Sequence, residues 1–198
     1  MVLISGVDEV GRGSGAAEIY ACACILNQQR PIEGLKDSKK LSRNRREILA
    51  EEIKKYAVCW SIAQASLEEI EQLNVHYATL LAMKRAVEGL KTKPNKVFID
   101  GLYVPEIKIP AKAIVKGDDK IQAISAASIL AKVARDNMML EYHQLYPQYG
   151  FDQNMGYLTK QHLEALHKYG PCPIHRKTYG PIRELLEIEN YKQLKIFG

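Results

Sequence analysis

The sequence predicts an α/β fold in which helices flank a mixed sheet, and three observations carry that prediction. Short apolar runs of strand character, near 2–10, 17–26, 58–65, 96–100 and 111–115, alternate with longer segments whose apolar residues recur at helical spacing. Two of those runs end in acids beside glycine: Asp8 and Glu9 within Ile4-Ser-Gly-Val-Asp-Glu-Val-Gly-Arg-Gly13, and Asp100 before Gly101. The composition, 46% apolar and 26% charged over 198 residues, is that of a globular chain long enough to bury a core.

Taken in order, the first run delivers two adjacent carboxylates, which resist burial unless cations sit between them or one takes a proton. A second strand over 17–26 pairs with it as a hairpin across the glycine turn. Gly11-Arg-Gly13-Ser-Gly-Ala16 also matches a dinucleotide-binding glycine pattern. That pattern requires a helix after the glycines, and a strand-like run follows instead. The basic loop Leu35 to Arg46 enters a helix capped by Ser42, and Lys39, Lys40, Arg43 and Arg46 at its entry are candidate phosphate contacts.

Val58 to Ala65 is the third strand, and Ser66 to Glu69 opens an acidic helix start. Asn74 to Leu90 is an amphipathic scaffold helix in which His76 is a surface or packing residue. Lys96 to Asp100 and Ala111 to Val115 complete the strands, and the second leads through Lys116-Gly117 to Asp118-Asp119. Ile121 to Tyr142 is one long helix with a small-residue face, Ser125 to Ser128, that lets it pack closely on a sheet. Along it Asp136 lies about 27 Å from Asp118, so the two cannot share one centre. Asp118 is the better ligand, and Asp136 pairs locally with Arg135 or Lys132. Beyond Pro147, Thr159 caps a helix over Lys160 to His167, and a basic loop with interleaved tyrosines runs from Tyr169 to Tyr179.

Net charge is +5, which favours a polyanionic partner without requiring one. The four cysteines, Cys22, Cys24, Cys59 and Cys172, show neither zinc nor disulfide spacing, so they read as reduced thiols. No apolar run reaches a membrane span and no signal peptide opens the chain, so a cytoplasmic protein without membrane attachment is expected. Strand ends thus offer Asp8, Glu9, Asp100 and Asp118. An oxygen-only set favours magnesium or manganese, and a pair of such ions suits phosphodiester hydrolysis.

The chain resembles bacterial ribonuclease HII. The residues that carry the resemblance are Gly6-Val-Asp-Glu-Val-Gly-Arg-Gly13, Asp37-Ser-Lys-Lys-Leu-Ser42, Ile99-Asp-Gly101, Lys116-Gly-Asp118, Ser125 to Val133 with Arg135-Asp136, Gly156-Tyr157, and His175-Arg176. It implies a ribonuclease H-like mixed five-stranded sheet, with a catalytic part over 1–145 and a helical extension over 146–198. The implied activity is cleavage of RNA in RNA-DNA hybrids and incision 5′ to a lone ribonucleotide in duplex DNA, leaving 3′-hydroxyl and 5′-phosphate ends. Ribonucleotide removal and RNA primer processing are the tasks it implies, for a monomer. By the same resemblance Asp8, Glu9, Asp100 and Asp118 hold two Mg²⁺ or Mn²⁺ ions. Gly11, Arg12 and Gly13 read the 2′-hydroxyl, Tyr157 sits at the RNA-DNA junction, and His175 and Arg176 join Lys39, Lys40, Arg43 and Arg46 as substrate contacts.

Two departures from the family pattern stand out. Ala17-Glu18 replaces a Gly-Pro pair, which predicts a looser recognition loop, a negative charge near the acids and weaker substrate binding. Leu158 replaces a proline after Tyr157, leaving that ring's posture open. A non-catalytic nucleic-acid-binding protein and a junction resolvase remain alternatives at this stage; the first would not cut, and the second would cut branched DNA regardless of the sugar. The tail around Tyr191, Lys192 and Gln193 is too short to assign a docking peptide.

Overall fold

The computed structural model describes residues 2–187, and the tail just mentioned lies outside them. Strands β1 (Ile4–Val10), β2 (Ile19–Ile25), β3 (Cys59–Ala65), β4 (Lys96–Asp100) and β5 (Ala111–Ile114) form one mixed sheet in the order β3-β2-β1-β4-β5. β1 is central, antiparallel to β2 and parallel to β4. Its register sets Asp8 opposite Cys22 and Glu9 opposite Ala21. β4 pairs in parallel with β5, Asp100 facing Ile114.

Helices α1 (Arg43–Tyr56) and α3 (Gln122–Leu145) cover one face, and α2 (Leu67–Glu88) covers the other. The period of two along a strand sorts the core between these layers. Cys22 and Cys24 pack with Leu49, Ile53, Ala126 and Ile129, whereas Val7, Ala21 and Ala23 pack with Ala78, Ala82 and Ala86. The alanines of α3 let it lie close to the sheet, and at Gly6 the fit is absolute. A Cβ there would stand 2.1 Å from the Ala123 carbonyl carbon. This approach brings the start of α3, and the turn before it, against the central strand.

Caps fix the helix starts where the sequence marks them. Ser42 accepts from the Arg45 amide, and Ser66 and Glu69 form a reciprocal capping box. α2 is kinked at Asn74 (φ 66°), whose side chain accepts from the His76 and Tyr77 amides and so restarts the helix. This explains why the sequence reads as two helical pieces there.

β2 begins at Ile19, two residues later than expected, because Ala17 has φ +66° and Ala16 instead bridges to His175. Beyond α3, short α4 (Phe151–Asn154) and α5 (Lys160–Tyr169), then residues 180–187, surround a third apolar cluster of Met139, Tyr149, Phe151, Leu166 and Ile182. α4 and the tight turns at 38–40 and 147–149 had no sequence signal: each is too short for a hydrophobic period to show. α3 extends to Leu145 and α5 to Tyr169, past the expected ends. No helix among the described residues is long and apolar enough to cross a membrane. All four cysteines are free thiols.

Candidate active site

Three strand-end segments bring acids together at one edge of the sheet. Asp8 leaves β1 toward α3 and is buried, with 6% of its surface exposed. Its carboxylate accepts from the Glu9 amide at 2.8 Å. Asp100 closes β4 and accepts from the Gly117 amide at 2.6 Å, which ties the strand end to the turn carrying Asp118. The Ser125 hydroxyl, in the first turns of α3, donates to the Asp118 carbonyl at 2.6 Å and fixes that turn from below. Asp8, Asp100 and Asp118 thereby each present an oxygen within 4.8 Å of the others.

Glu9 is not one of this close trio, although it borders the cleft that Asp8 lines. As the next residue on the strand it points to the α2 face, where it lines a narrow recess with Arg12, His76, Asp100 and Tyr103. His76 packs edge-on against Tyr103, with ring centroids 4.6 Å apart, in keeping with the packing role expected for it. The charge of Asp100, at the strand end, acts on both Asp8 and Glu9.

The electrostatics follow from burial of like charges. Burial first, then the Glu9 and Asp100 charges, hold the Asp8 carboxyl well above the usual carboxylate range, against a hydrogen bond from Ser128. Glu9 is raised by burial and Asp100, with Arg12 pulling the other way. Asp118 is raised by burial, Asp100 and Asp37. Carboxylates so placed need protons or cations, and an all-oxygen donor set of this kind fits hard divalent ions. Lys39 is a cation beside the acids: burial lowers its pKa, but Asp37, Asp8, Asp118 and Asp100 together raise it.

A second cleft opens on the α3 face, lined by Asp8, Ser38, Lys39, Ser128, Lys132 and Tyr157. Ser38 and Ser128 share a 2.9 Å hydrogen bond beneath it, joining the basic loop to α3. Tyr157 is 40% exposed, and a Cβ built on Gly13 would lie 3.9 Å from its ring. The tyrosine and the Gly11-Arg12-Gly13 loop thus face each other beside the acids. Leu158 packs on Gly15 and into the third apolar cluster, so its side chain takes up the anchoring that the missing proline left open.

Two arginines hold the loop from behind. Arg135, fully buried on α3, donates to the carbonyls of Ala16, Glu18 and Met155 and to the Ser14 hydroxyl, at 2.9–3.2 Å. Gly11 has φ +91°, and a Cβ there would meet the Arg135 Nε at 2.2 Å, so no other residue fits. Arg176 donates to the carbonyls of Arg12, Ala17 and Glu18. The loop is therefore clamped, contrary to the looseness expected from the absent Gly-Pro pair. The Glu18 carboxylate is engaged away from the acids, accepting from the Tyr142 hydroxyl at 3.0 Å.

The other expected substrate contacts separate into two groups. His175 and Arg176 are each 1% exposed, so burial denies them to a duplex and they act through the loop. Arg46 is also mostly buried, bonding the Ser38 and Leu41 carbonyls and pairing with Asp136 at 3.5 Å. Asp136 pairs more closely with Lys132, at 2.7 Å, and not with Arg135. Lys39, Lys40 and Arg43 are exposed, although Lys40 pairs with Asp119 and Arg43 with Glu47. Sequence reasoning missed Ser38, Ser128 and Lys132 as cleft residues. The polar positions 125, 128 and 132, at helical spacing on an otherwise apolar face, were the available signal.

Comparison with known proteins agrees with this geometry. The family described as Ribonuclease HII matches residues 5–180. A Ribonuclease HII of Desulforamulus reducens is 70% identical over 197 residues, covering 100% of both chains. One of Natranaerobius thermophilus is 58% identical over 198 residues, again with 100% of both covered. The crystal structure of ribonuclease H2 from Pyrococcus horikoshii OT3 superposes with a TM-score of 0.80 at 26% identity, covering 94% of this chain and 98% of that one. A five-stranded mixed sheet that gathers acids at one edge, in a chain alike over its whole length to these enzymes, places the protein in the ribonuclease HII family, as an endoribonuclease of the ribonuclease H type.

Proposed function

We propose that this endoribonuclease cuts the RNA strand of RNA-DNA hybrids and incises duplex DNA on the 5′ side of a single ribonucleotide, with Asp8, Glu9, Asp100 and Asp118 holding two divalent ions. The observation that carries the reading is the trio of aspartate oxygens within 4.8 Å, flanked by Glu9 and Arg12 in one recess and by Lys39 and Tyr157 in the neighbouring cleft. These acids would hold Mg²⁺ or Mn²⁺, which would supply the Lewis-acid chemistry that activates a water and stabilises the leaving oxygen. The bond from phosphorus to the 3′ oxygen breaks, which leaves a 3′-hydroxyl and a 5′-phosphate.

Recognition is divided among this chain's own residues. The 2′-hydroxyl distinguishes RNA from DNA, and a loop bare of side chains at Gly11 and Gly13 lets backbone approach it. Arg176 and Tyr179 already occupy the Arg12 and Gly13 carbonyls. The amides of those two residues have no partner among the described residues, so they are the groups assigned to the hydroxyl. Tyr157, across from Gly13, packs on the neighbouring sugar, and Lys39 neutralises a backbone phosphate.

A duplex DNA carrying one ribonucleotide, incubated with Mg²⁺ or Mn²⁺, is expected to be nicked 5′ to that ribonucleotide, with ends that a kinase and a ligase identify. Asp100→Asn is expected to abolish nicking while keeping binding in a gel-shift measurement. Cleavage of branched all-DNA substrates at the same rate, or nicking that survives the substitution, would overturn the assignment.

A further inference from the structure

Beneath Tyr157 lies a pair of buried histidines from separate segments, His162 on α5 and His175 in the loop that follows it, whose Nε2 atoms are 2.9 Å apart. Each outer nitrogen has its own partner. His162 Nδ1 is 3.0 Å from the Tyr157 carbonyl, which only accepts. His175 Nδ1 is 2.9 Å from the Cys172 amide, which only donates. These two ends fix every proton between them. His162 must carry its proton on Nδ1 to bond the carbonyl, so its Nε2 accepts. His175 must leave Nδ1 bare to receive the amide, so its Nε2 donates. The Cys172 carbonyl lies 3.3 Å from the same His175 nitrogen, but the amide is closer and has no alternative role.

We infer that His162 and His175 are positioning residues for Tyr157: a one-way hydrogen-bond chain, Cys172 amide to His175 to His162 to Tyr157 carbonyl, with both rings neutral and each in one tautomer. A second proton on either ring would place two N–H groups head to head at 2.9 Å. The surroundings favour the neutral pair, since burial lowers both pKa values and, with the His162 charge, pushes His175 down to about 4. Phe151 packs edge-on against the His162 ring, and Tyr149 edge-on against both rings. The Tyr157 carbonyl also receives the Thr159 amide at 2.8 Å, so the residue is held at two angles. The chain connects it to the 172–176 segment, from which Arg176 clamps the glycine loop. One rigid unit thus sets the spacing between Tyr157 and Gly13.

The consequence for cleavage rests on the substrate role proposed for Tyr157, and the test has one arm independent of it. Nitrogen-15 imidazole spectra of the intact protein at pH 7 should show His162 as the Nδ1–H tautomer and His175 as the Nε2–H tautomer. The opposite tautomers, or a charged ring, would overturn the chain. In kinetics on the ribonucleotide-containing duplex, His162→Phe should lower kcat/KM by about tenfold, the scale of one lost hydrogen bond. His162→Asn, whose amide reaches the Nδ1 position, should recover most of that loss. In a Tyr157→Ala background the His162→Phe penalty should vanish, because the two act through one contact. An undiminished penalty there would overturn positioning in favour of a general folding role. If Tyr157→Ala alone leaves cleavage unchanged, the substrate role of Tyr157 is overturned, and the spectra still decide the chain.

Discussion

Asp8→Asn should make the metal-free protein more stable while abolishing cleavage. Asparagine keeps the acceptor for the Glu9 amide, and its NH₂ can face Ser128, so the change removes a charge with little loss of bonding. Asp100 and Asp118 each place an oxygen within 4.8 Å of Asp8. Two full charges at such a distance repel by about 3.5 kcal/mol at an effective dielectric of 20. Shared protons and side-chain rotation relieve most of this, leaving an expected gain of about 1–3 kcal/mol, or roughly 2–4 °C in Tm for each kcal/mol at this chain length.

The measurement is thermal unfolding in a chelator and then with Mg²⁺ or Mn²⁺. An ion at a thousand times its Kd adds about 4.1 kcal/mol to a protein that binds it. The wild type should therefore overtake the variant once the ion is present. Acidification supplies a further check. Because Asp8 has a raised pKa when folded, its protonation favours the folded state, fully so below the unfolded value of about 4. That advantage is lost as pH rises through the folded value, so the gap between variant and wild type should close as pH falls toward 4. A variant less stable than wild type in chelator, or an equal gain from the ion in both, would refute crowding of charge at this site.

Three further outcomes are expected. Ala17→Gly should raise stability by about 1 kcal/mol in urea unfolding, since Ala17 holds φ +66° where an L side chain is strained; an unchanged midpoint would mean the turn carries no strain. Lys39→Ala should raise KM and reduce the slope of log binding against log salt by about one unit. Arg46→Ala should leave that slope unchanged and lower stability by about 1–3 kcal/mol, because its bonds go to the Ser38 and Leu41 carbonyls and to Asp136. Equal salt slopes in the two variants would refute the separation of exposed from buried cations.

The sequence by itself determined the strand and helix content and the identity of the acids. Alternation of apolar runs with helical periods is a local property, and a carboxylate beside glycine at a strand end is legible without coordinates. Ser42 and Thr159 were likewise legible as caps, and Ser66 to Glu69 as a helix start, because such signals are settled within four residues. What the tertiary structure alone decided was which side chains meet. Asp8 and Glu9 are neighbours in sequence, yet the strand's period of two turns them to opposite faces, so three aspartates converge closely and Glu9 reaches the site beside Arg12 and Asp100. Lys39 and Arg46 belong to one basic run, but only the exposed one is open to a phosphate. His175 and Arg176 read as surface cations and lie buried, Arg176 bonded to the loop carbonyls and His175 to His162. Burial and partnership across more than a hundred residues of chain are set by packing, and no local pattern encodes them.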